Sequence, residues 1–212
     1  MDYLKHESLY RGNIDNRASK LITVCGVGAL GSWLVEILVR QGYNGITVID
    51  KDKVENTNLG TQNYCKADVG RSKAVQCANN MIKKISSKVV PIAKELNKSN
   101  AKSMLKGSDL VIDVFDDALS RQVVMDVCNE LSIPCLHAGM STDGYSEVCW
   151  NEKYKVTAPK TTAGVAPCDY PLAANLVSFT VVLLAEMVNK FLDAGIKKSV
   201  EFTWDDLRVD EK

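Results

Sequence analysis

The chain has 212 residues and no net charge, because 26 Lys and Arg residues balance 26 Asp and Glu residues. Hydrophobic residues make up 46% of it and charged residues 25%, which is ordinary for a globular protein with a substantial core. This neutral balance argues against nucleic acid or a membrane surface as the main partner, since both attract strongly basic chains.

Strand and helix patterns alternate along most of the chain. Apolar and β-branched runs predict strands, and amphipathic runs predict helices. The predicted strands are 21–26, 45–50, 88–93, 109–114 and 134–138, and the predicted helices are 29–42, 71–86, 99–106, 118–132 and 171–194. This alternation is typical of a doubly wound, Rossmann-like α/β fold with a mainly parallel sheet. We expect a single domain, with an N-terminal segment at 1–20 and the Rossmann-like core at 21–140.

The region from 141 to 212 predicts a short C-terminal β/α extension. Its predicted elements are a hairpin formed by 147–151 and 153–156, a loop at 157–170 and a strand at 201–207. The longest apolar stretch, Leu176–Ala185, is much shorter than the roughly 20 residues that cross a bilayer. It therefore predicts a buried helix.

The chain contains seven cysteines, which is an odd number. With no recognisable signal peptide, they predict free thiols in the reducing cytoplasm. No Cys-x-x-Cys pair occurs in the sequence, so we expect no zinc site. Cys25, Cys77 and Cys128 are expected to be small core residues.

A Gly-x-Gly-x-x-Gly segment joins the first predicted strand to the first predicted helix. Gly26 makes the turn, Gly28 lets the backbone approach a phosphate, and Gly31 lets helix and strand pack closely. The helix that starts at Ala29 adds free N–H groups and the positive end of its dipole. The second predicted strand ends at Asp50, where a ribose-binding carboxylate is expected. These features predict a nucleotide site but leave NAD, FAD and ATP open.

Further polar blocks distinguish between these nucleotides. They are Asp50-Lys51-Asp52-Lys53-Val54, Asn58-Leu59-Gly60-Thr61-Gln62, Val69-Gly70-Arg71-Ser72-Lys73 and Asp113-Val114-Phe115-Asp116, with Arg121 in the next helix. Each block follows a predicted strand or opens the helix after it. Because the carboxyl ends of parallel strands form one edge of the sheet, all of them are expected to meet there.

In this order and spacing, the blocks resemble the ThiF/MoeB/HesA family, the bacterial relatives of ubiquitin-activating enzymes, over roughly residues 20–140. The resemblance implies an ATP-dependent adenylyltransferase that activates the C-terminal carboxylate of a small ubiquitin-like or sulfur-carrier protein, usually ending Gly-Gly. It implies ATP and Mg²⁺ as cofactors and a homodimer. It leaves open whether the pathway is thiamine or molybdopterin biosynthesis or protein conjugation.

The resemblance also implies site residues. The nucleotide-binding set is Gly26, Gly28, Ala29, Gly31, Asp50, Asp52, Asn58, Gln62, Lys73 and Arg121. Lys73 would contact phosphate and Asp116 would hold Mg²⁺, which suits an anionic carboxylate attacking an anionic phosphate. Cys168, in a loop before a helix start that favours a thiolate, is a third catalytic candidate, as the residue that takes over the activated carrier.

Simpler interpretations exist for several of these side chains. Asp52 could be a solvated turn acid, and Lys73 could be a surface lysine in the first turn of its helix. Asp117 is expected to be the N-cap of the helix that follows it. His137 is expected to be a satisfied core or rim residue rather than a catalyst.

One position departs from the family pattern, because Thr61 stands where the family has an arginine. One phosphate contact is then lost, or is supplied by Arg11, Arg17 or Arg71. Three alternative functions stay open: adenylation of a peptide or small-molecule carboxylate, a weakly active subunit of an activating complex, and an NAD(P)-dependent oxidoreductase. The oxidoreductase would leave Asn58, Lys73 and Asp116 unexplained.

Overall fold

The computed structural model describes residues 2–156 and 173–212, and all strands found there belong to one mixed sheet. The strands are β1 (Leu21–Cys25), β2 (Gly45–Ile49), β3 (Val90–Ile92), β4 (Leu110–Asp113), β5 (Cys135–Met140), β6 (Tyr145–Trp150), β7 (Val200–Thr203) and β8 (Arg208–Glu211). Their order in the sheet is β3-β2-β1-β4-β5-β6-β7-β8. The first five are parallel and the last three join antiparallel, which confirms the mainly parallel core with a C-terminal extension.

Helices cover the sheet on both faces, as in a doubly wound fold. They are α1 (Lys5–Arg11), α2 (Ala29–Arg40), α3 (Lys73–Ile85), α4 (Ala101–Leu105), α5 (Ala118–Leu131) and α6 (Ala174–Ala194). One apolar core lies between α2, α3, α6 and the sheet, and a second lies between α4, α5 and the opposite face. Cys25 and Cys128 are buried in the second core and Cys77 in the first, which confirms them as core residues.

The parallel strands form where predicted because their side chains are buried on both faces. In β4, Leu110, Val111 and Ile112 are all fully buried and belong alternately to the two cores. In α2, Leu30, Leu34 and Leu38 recur at the helical spacing of four and lie on the buried side. Local patterning is therefore enough to place these elements.

The C-terminal extension differs from the sequence prediction. The hairpin of 147–151 with 153–156 is wrong: β6 pairs with β5 and β7 instead, and residues 153–156 form no strand. The strand itself is confirmed, since β6 overlaps the predicted 147–151. Its partners are distant in sequence, and local pattern does not reveal them. The tail strand is confirmed for 201–203, but a turn at 204–207 then leads into β8.

The N-terminal segment forms α1, which the sequence did not predict because α1 buries no side chain. Ion pairs hold this segment instead of an apolar face. The Arg17 guanidinium, 1% exposed, donates from Nε to Asp193 Oδ1 (3.0 Å) and from Nη1 to Glu7 Oε1 (3.0 Å) and the Gln41 carbonyl oxygen (2.9 Å). Arg17 thus joins the N-terminal segment to the C-terminal ends of α2 and α6.

The helix α6 is long and apolar enough to cross a membrane by length and composition alone. In the structure, half of its most apolar window is buried, and its apolar side packs against α2, β5 and β6. This confirms the predicted buried helix over residues 174–194.

A buried hydrogen bond between α6 and the segment that follows α2 gives a test of this packing. The Tyr43 hydroxyl, fully buried, donates to Asn189 Oδ1 at 3.0 Å. We expect Tyr43→Phe to lower the free energy of unfolding by about 1–2 kcal/mol, because the buried Asn189 oxygen loses its donor. Urea denaturation measures this, with the exposed Tyr10→Phe as the control that should change little. Equal effects of the two substitutions would contradict the packing described.

Candidate functional site

The three glycines between β1 and α2 have different steric surroundings. Gly26 has φ +95°, and a Cβ there would lie 3.1 Å from the Val114 carbonyl oxygen. A Cβ on Gly31 would lie 2.0 Å from the Gly26 carbonyl oxygen, so no side chain fits. At Gly28 the nearest atom is Gln62 Nε2 at 3.9 Å, which leaves the backbone open. The turn therefore leaves bare backbone beside the start of α2, as phosphate binding requires.

Asp50 and Tyr64 fix this turn from two sides. Asp50 Oδ2 accepts a hydrogen bond from the Val27 N–H and Oδ1 accepts from the Asp52 N–H, both at 2.8 Å. The buried Tyr64 hydroxyl donates to the Val27 carbonyl oxygen at 2.7 Å. Burial raises the pKa of Asp50, although these two N–H groups partly offset it by favouring the ionised form. Asp50 lies beside the turn, where it is predicted to bind a ribose.

A backbone pairing between 52–54 and 71–73 places Lys73 beside Asp52, at the edge of the sheet that carries the glycine turn. The N–H groups of Val54 and Lys73 donate to the carbonyl oxygens of Arg71 and Asp52, each at 2.8 Å. Lys73 Nζ then lies 3.7 Å from Asp52 Oδ2. Lys73 is only 9% exposed, which excludes the simple surface lysine, whereas Asp52 is exposed. A nearly buried cation thus faces the predicted nucleotide site with a carboxylate that solvent can reach.

The segment after β2 is clamped onto the first turns of α2. Trp33 Nε1 donates to the Thr61 carbonyl oxygen (2.9 Å), and the Asn63 N–H donates to Ser32 Oγ (3.0 Å). This clamp places Gln62 over the open side of Gly28, where Gln62 Oε1 is buried without a hydrogen-bond partner in the described part of the chain. A buried polar atom without a partner beside a glycine turn is expected where a polar ligand binds.

Asn58 has a structural task that the sequence did not show. Its side-chain Oδ1 accepts from the Glu55 N–H at 2.9 Å, and Asn58 is 5% exposed. This bond closes the short helical turn Asn56–Gly60. A contact of Asn58 with the nucleotide stays a prediction.

Within this chain, Arg11 and Arg17 do not replace the family arginine whose position Thr61 occupies. Arg11 is bound to Glu7 and Glu186, and Arg17 lies at the C-terminal end of α2. The helix α2 has 12 residues, and at 1.5 Å per residue it is about 18 Å long, with the glycine turn at its other end. Both arginines are therefore remote from the site within this chain and supply no phosphate contact there. Arg71, exposed and close to Lys73 in the chain, stays a candidate.

The loop between β4 and α5 carries Asp116. Its neighbour Phe115 lies 3.2 Å from the place of a Cβ on Gly26, so the loop adjoins the glycine turn. Asp116 is exposed and makes no side-chain hydrogen bond to other described residues. Asp117 Oδ1 accepts from the Ser120 N–H at 2.7 Å, which confirms Asp117 as the N-cap of α5.

Arg121 lies under this loop. Its Nε donates to the Phe115 carbonyl oxygen (2.6 Å), Nη2 to the Ala138 carbonyl oxygen (2.7 Å) and Nη1 to the Tyr154 hydroxyl (3.0 Å). Burial acts to lower the pKa of Arg121, but Asp113 and Tyr154 outweigh it and the net direction is upward. Three of its five N–H groups thus donate hydrogen bonds to protein atoms. Its contact with the nucleotide stays a prediction.

The residues at this edge fit a nucleotide with a divalent cation. The described residues contain no group of three or more His, Cys, Asp or Glu side chains able to hold a metal. Mg²⁺ commonly binds through one or two carboxylates together with substrate phosphates, and Asp116, exposed and without a side-chain hydrogen bond to the described residues, suits that mode. The bare backbone at Gly28 and the Lys73 cation suit a polyphosphate, and the Gln62 oxygen, unpartnered within the described chain, suits a donor group of the same ligand, such as a hydroxyl or an amino group.

The cysteines divide by burial. Cys65 is exposed, and the other described cysteines are buried. Burial raises the pKa of Cys77 to about 12 and also raises those of Cys25 and Cys135, so these thiols stay protonated. Cys168, the predicted nucleophile, lies outside the described residues, and its role stays a prediction.

The sequence did not predict a role for the pair formed by Asp113 and His137. His137 is fully buried and has hydrogen bonds on both ring nitrogens, which confirms the satisfied core residue. Strand register would have revealed this pair. Asp113 is the last residue of β4, His137 lies on the neighbouring β5, and the two are directly opposite each other.

Comparison with known proteins identifies a family and several relatives. The model of the ThiF family matches residues 13–192. The chain is 33% identical to the SAMP-activating enzyme E1 of Haloferax volcanii over 58% of this chain and 46% of that protein. It is 35% identical to the adenylyltransferase and sulfurtransferase UBA4 of Yarrowia lipolytica over 63% of this chain and 34% of that protein. The chain thus spans less than half the length of these relatives.

Solved structures show the same fold. Escherichia coli MccB with MccA superposes with a TM-score of 0.81 at 20% identity, covering 98% of this chain and 68% of that chain. Escherichia coli MccB with ATP superposes with a TM-score of 0.76 at 19% identity, covering 93% and 65%. These superpositions confirm the Rossmann-like architecture.

The different surroundings of two glycines give a test of the turn. We expect Gly31→Ala to destabilise the protein by at least about 1–3 kcal/mol, because the methyl group meets the Gly26 carbonyl oxygen. Gly28→Ala should fold with a change within about 0.5 kcal/mol, since the space above it is open. Urea denaturation measures both, and Gly60→Ala, with nothing within 4 Å, is the control. A Gly31→Ala protein as stable as Gly28→Ala would disprove the close contact.

Proposed function

Because the chain belongs to the ThiF family, we propose that it is an ATP-dependent adenylyltransferase that activates the C-terminal carboxylate of a small ubiquitin-like or sulfur-carrier protein. The carrying observation is that the nearly buried Lys73 and the exposed carboxylates of Asp52 and Asp116 border one glycine turn. The names of the relatives, a SAMP-activating E1 and two-function adenylyltransferase and sulfurtransferase proteins, support the same reaction class.

In the proposed reaction, a carboxylate oxygen of the carrier forms a bond to the α-phosphorus of ATP. The bond from that phosphorus to the bridging oxygen breaks, and pyrophosphate leaves with the electron pair. The glycine turn and the first N–H groups of α2 donate hydrogen bonds to the phosphates, and Lys73 offsets the negative charge that builds on them. Asp116 would hold Mg²⁺, which would neutralise further charge on the triphosphate.

Lys73 and Asp52 suit this reaction because they are a separable pair. At 3.7 Å the contact is long for a salt bridge, and Asp52 is exposed. Because the contact is long and one partner is exposed, the pair is weak, so Lys73 can turn to phosphate at small cost. The NAD(P) oxidoreductase alternative gives neither Lys73 nor Asp116 a role, and we therefore rank it below adenylation.

The proposal extends to assembly and location. We propose a homodimer, to which the exposed apolar side chains Leu9 and Tyr10 of α1 and Val182 of α6 would offer contact surface. We also propose that the protein works in the cytoplasm, which is consistent with the free thiols of the described cysteines. Thiamine biosynthesis is one of the pathways in which such an activated carrier serves.

The choice of nucleotide is tested by thermal unfolding. A ligand at 100 times its dissociation constant adds about 2.7 kcal/mol to the free energy of unfolding. We expect ATP with Mg²⁺ to raise the melting temperature, and NADPH at the same concentration to leave it unchanged. Stabilisation by NADPH together with no response to ATP would refute the proposal.

The role of Lys73 is tested by isotope exchange between pyrophosphate and ATP, with a small ubiquitin-fold protein ending Gly-Gly as the acceptor. We expect Lys73→Ala to reduce the exchange rate by about 10²–10³, the usual loss for one group that stabilises transition-state charge. Lys53→Ala, an exposed lysine in the adjoining strand pairing, is the matched control and should exchange normally. An unchanged rate in a folded Lys73→Ala protein would remove Lys73 from the site.

A further inference from the structure

A buried polar cluster lies beneath the loop that carries Asp116. Asp113 and His137 are both fully buried, and His137 Nδ1 lies 2.8 Å from Asp113 Oδ2. On its other side, His137 Nε2 lies 2.6 Å from Asn151 Oδ1, and the Tyr154 ring stacks on the imidazole with centroids 4.0 Å apart. A buried carboxylate needs a partner to stay buried, and His137 is the partner of Asp113.

The orientation of His137 follows from its neighbours. Asn151 Nδ2 faces two oxygens, the Met125 carbonyl oxygen at 3.5 Å and Asn129 Oδ1 at 2.5 Å. Because a carbonyl oxygen only accepts, the Asn151 amide must present its oxygen to His137, and His137 Nε2 donates. His137 is then held from both ends, by Asn151 at Nε2 and by Asp113 at Nδ1.

From this pair, a chain of contacts leads to Phe115. Asp113 Oδ1 accepts from the Phe115 N–H at 3.2 Å, and Arg121 Nε donates to the Phe115 carbonyl oxygen at 2.6 Å. Both backbone polar groups of Phe115 are thus bound, one to the buried Asp113 and one to the partly buried Arg121. Phe115 directly precedes Asp116, which has no side-chain hydrogen bond of its own to the described residues. The direction of the Asp116 carboxylate therefore depends on the backbone that this cluster holds.

We propose that His137 is a positioning residue: through Asp113 and Phe115 it aims the Asp116 carboxylate toward the metal that accompanies ATP. This inference rests on the proposed function, because it takes Asp116 as the metal ligand. The competing explanation is that His137 only fills space in the second apolar core. The two differ in what a substitution does, since groups that orient a metal ligand change metal affinity and space-filling groups change only stability.

The test compares His137→Gln with Leu184→Ala. Leu184 is fully buried in the core on the opposite face of the sheet, so its truncation destabilises the protein without contact to the cluster. One readout is the Mg²⁺ concentration that gives half of the melting-temperature rise caused by a fixed ATP concentration. We expect His137→Gln to raise it about tenfold or more, the usual cost of losing such an orienting partner. Leu184→Ala should leave it unchanged.

A second readout needs no ligand. Hydrogen–deuterium exchange followed by mass spectrometry reports on the amides of 114–121, and we expect them to exchange faster in His137→Gln but not in Leu184→Ala. If His137→Gln does not fold, Asn151→Ala, at a half-exposed position, removes the second anchor of the imidazole at lower cost. His6→Gln, at the other histidine of the chain and exposed, controls for loss of an imidazole.

The outcomes separate this inference from the proposed function. Unchanged exchange at 114–121 in a folded His137→Gln protein overturns the inference, as does faster exchange with an unchanged Mg²⁺ requirement. Equal effects of His137→Gln and Leu184→Ala overturn it as well. If Asp116→Asn leaves the Mg²⁺ requirement unchanged, the metal assignment within the proposed function fails. If ATP does not stabilise the wild-type protein, the proposed function fails, and hydrogen exchange alone decides whether the cluster holds the loop.

Discussion

The site depends on one buried carboxylate, Asp50, at the end of β2. One of its oxygens accepts from the Val27 N–H in the glycine turn, and the other accepts from the Asp52 N–H two residues further along the chain. A single side chain thus ties together the ends of the neighbouring strands β1 and β2. The pKa of Asp50 is raised by burial, and the two backbone donors make the burial tolerable. The pairing of 52–54 with 70–73 then brings Lys73 to the same edge. The Tyr64 hydroxyl supports the same arrangement, because it lies 2.7 Å from the Val27 carbonyl oxygen and 3.2 Å from the Lys73 carbonyl oxygen.

The charge at this edge explains why a metal belongs in the proposed reaction. Carboxylates of Asp50, Asp52 and Asp116 border the turn, and Lys73 is already partly balanced by Asp52. A triphosphate adds several negative charges to a place that already carries them, and like charges in a partly buried site repel strongly. A divalent cation held by Asp116 would offset part of this negative charge. The arrangement therefore favours a nucleotide that arrives with its metal over a dinucleotide without one.

The sequence predicted those parts of the structure that depend on nearby residues. The glycine turn, the parallel strands and the cap at Asp117 each follow from a few neighbouring positions, and each is confirmed. It was wrong where distant contacts decide, because β6 pairs with β5 and β7, and Arg17 binds Asp193 across the whole chain. The link from His137 to Phe115 needs strand register and side-chain orientation together, and local patterns supply neither. The roles of Asn58, Arg121 and Cys168 in the reaction stay predictions.

The measurement that tests the account most directly is phosphorus NMR of ATP during turnover. The protein is incubated with ATP, Mg²⁺ and a small ubiquitin-fold protein ending Gly-Gly, with pyrophosphatase absent. Attack on the α-phosphorus predicts pyrophosphate and an adenylate that releases AMP, in equal amounts and only when the acceptor has its terminal carboxylate. Formation of ADP and inorganic phosphate would place the cleavage at the γ-phosphorus and contradict adenylation by this site.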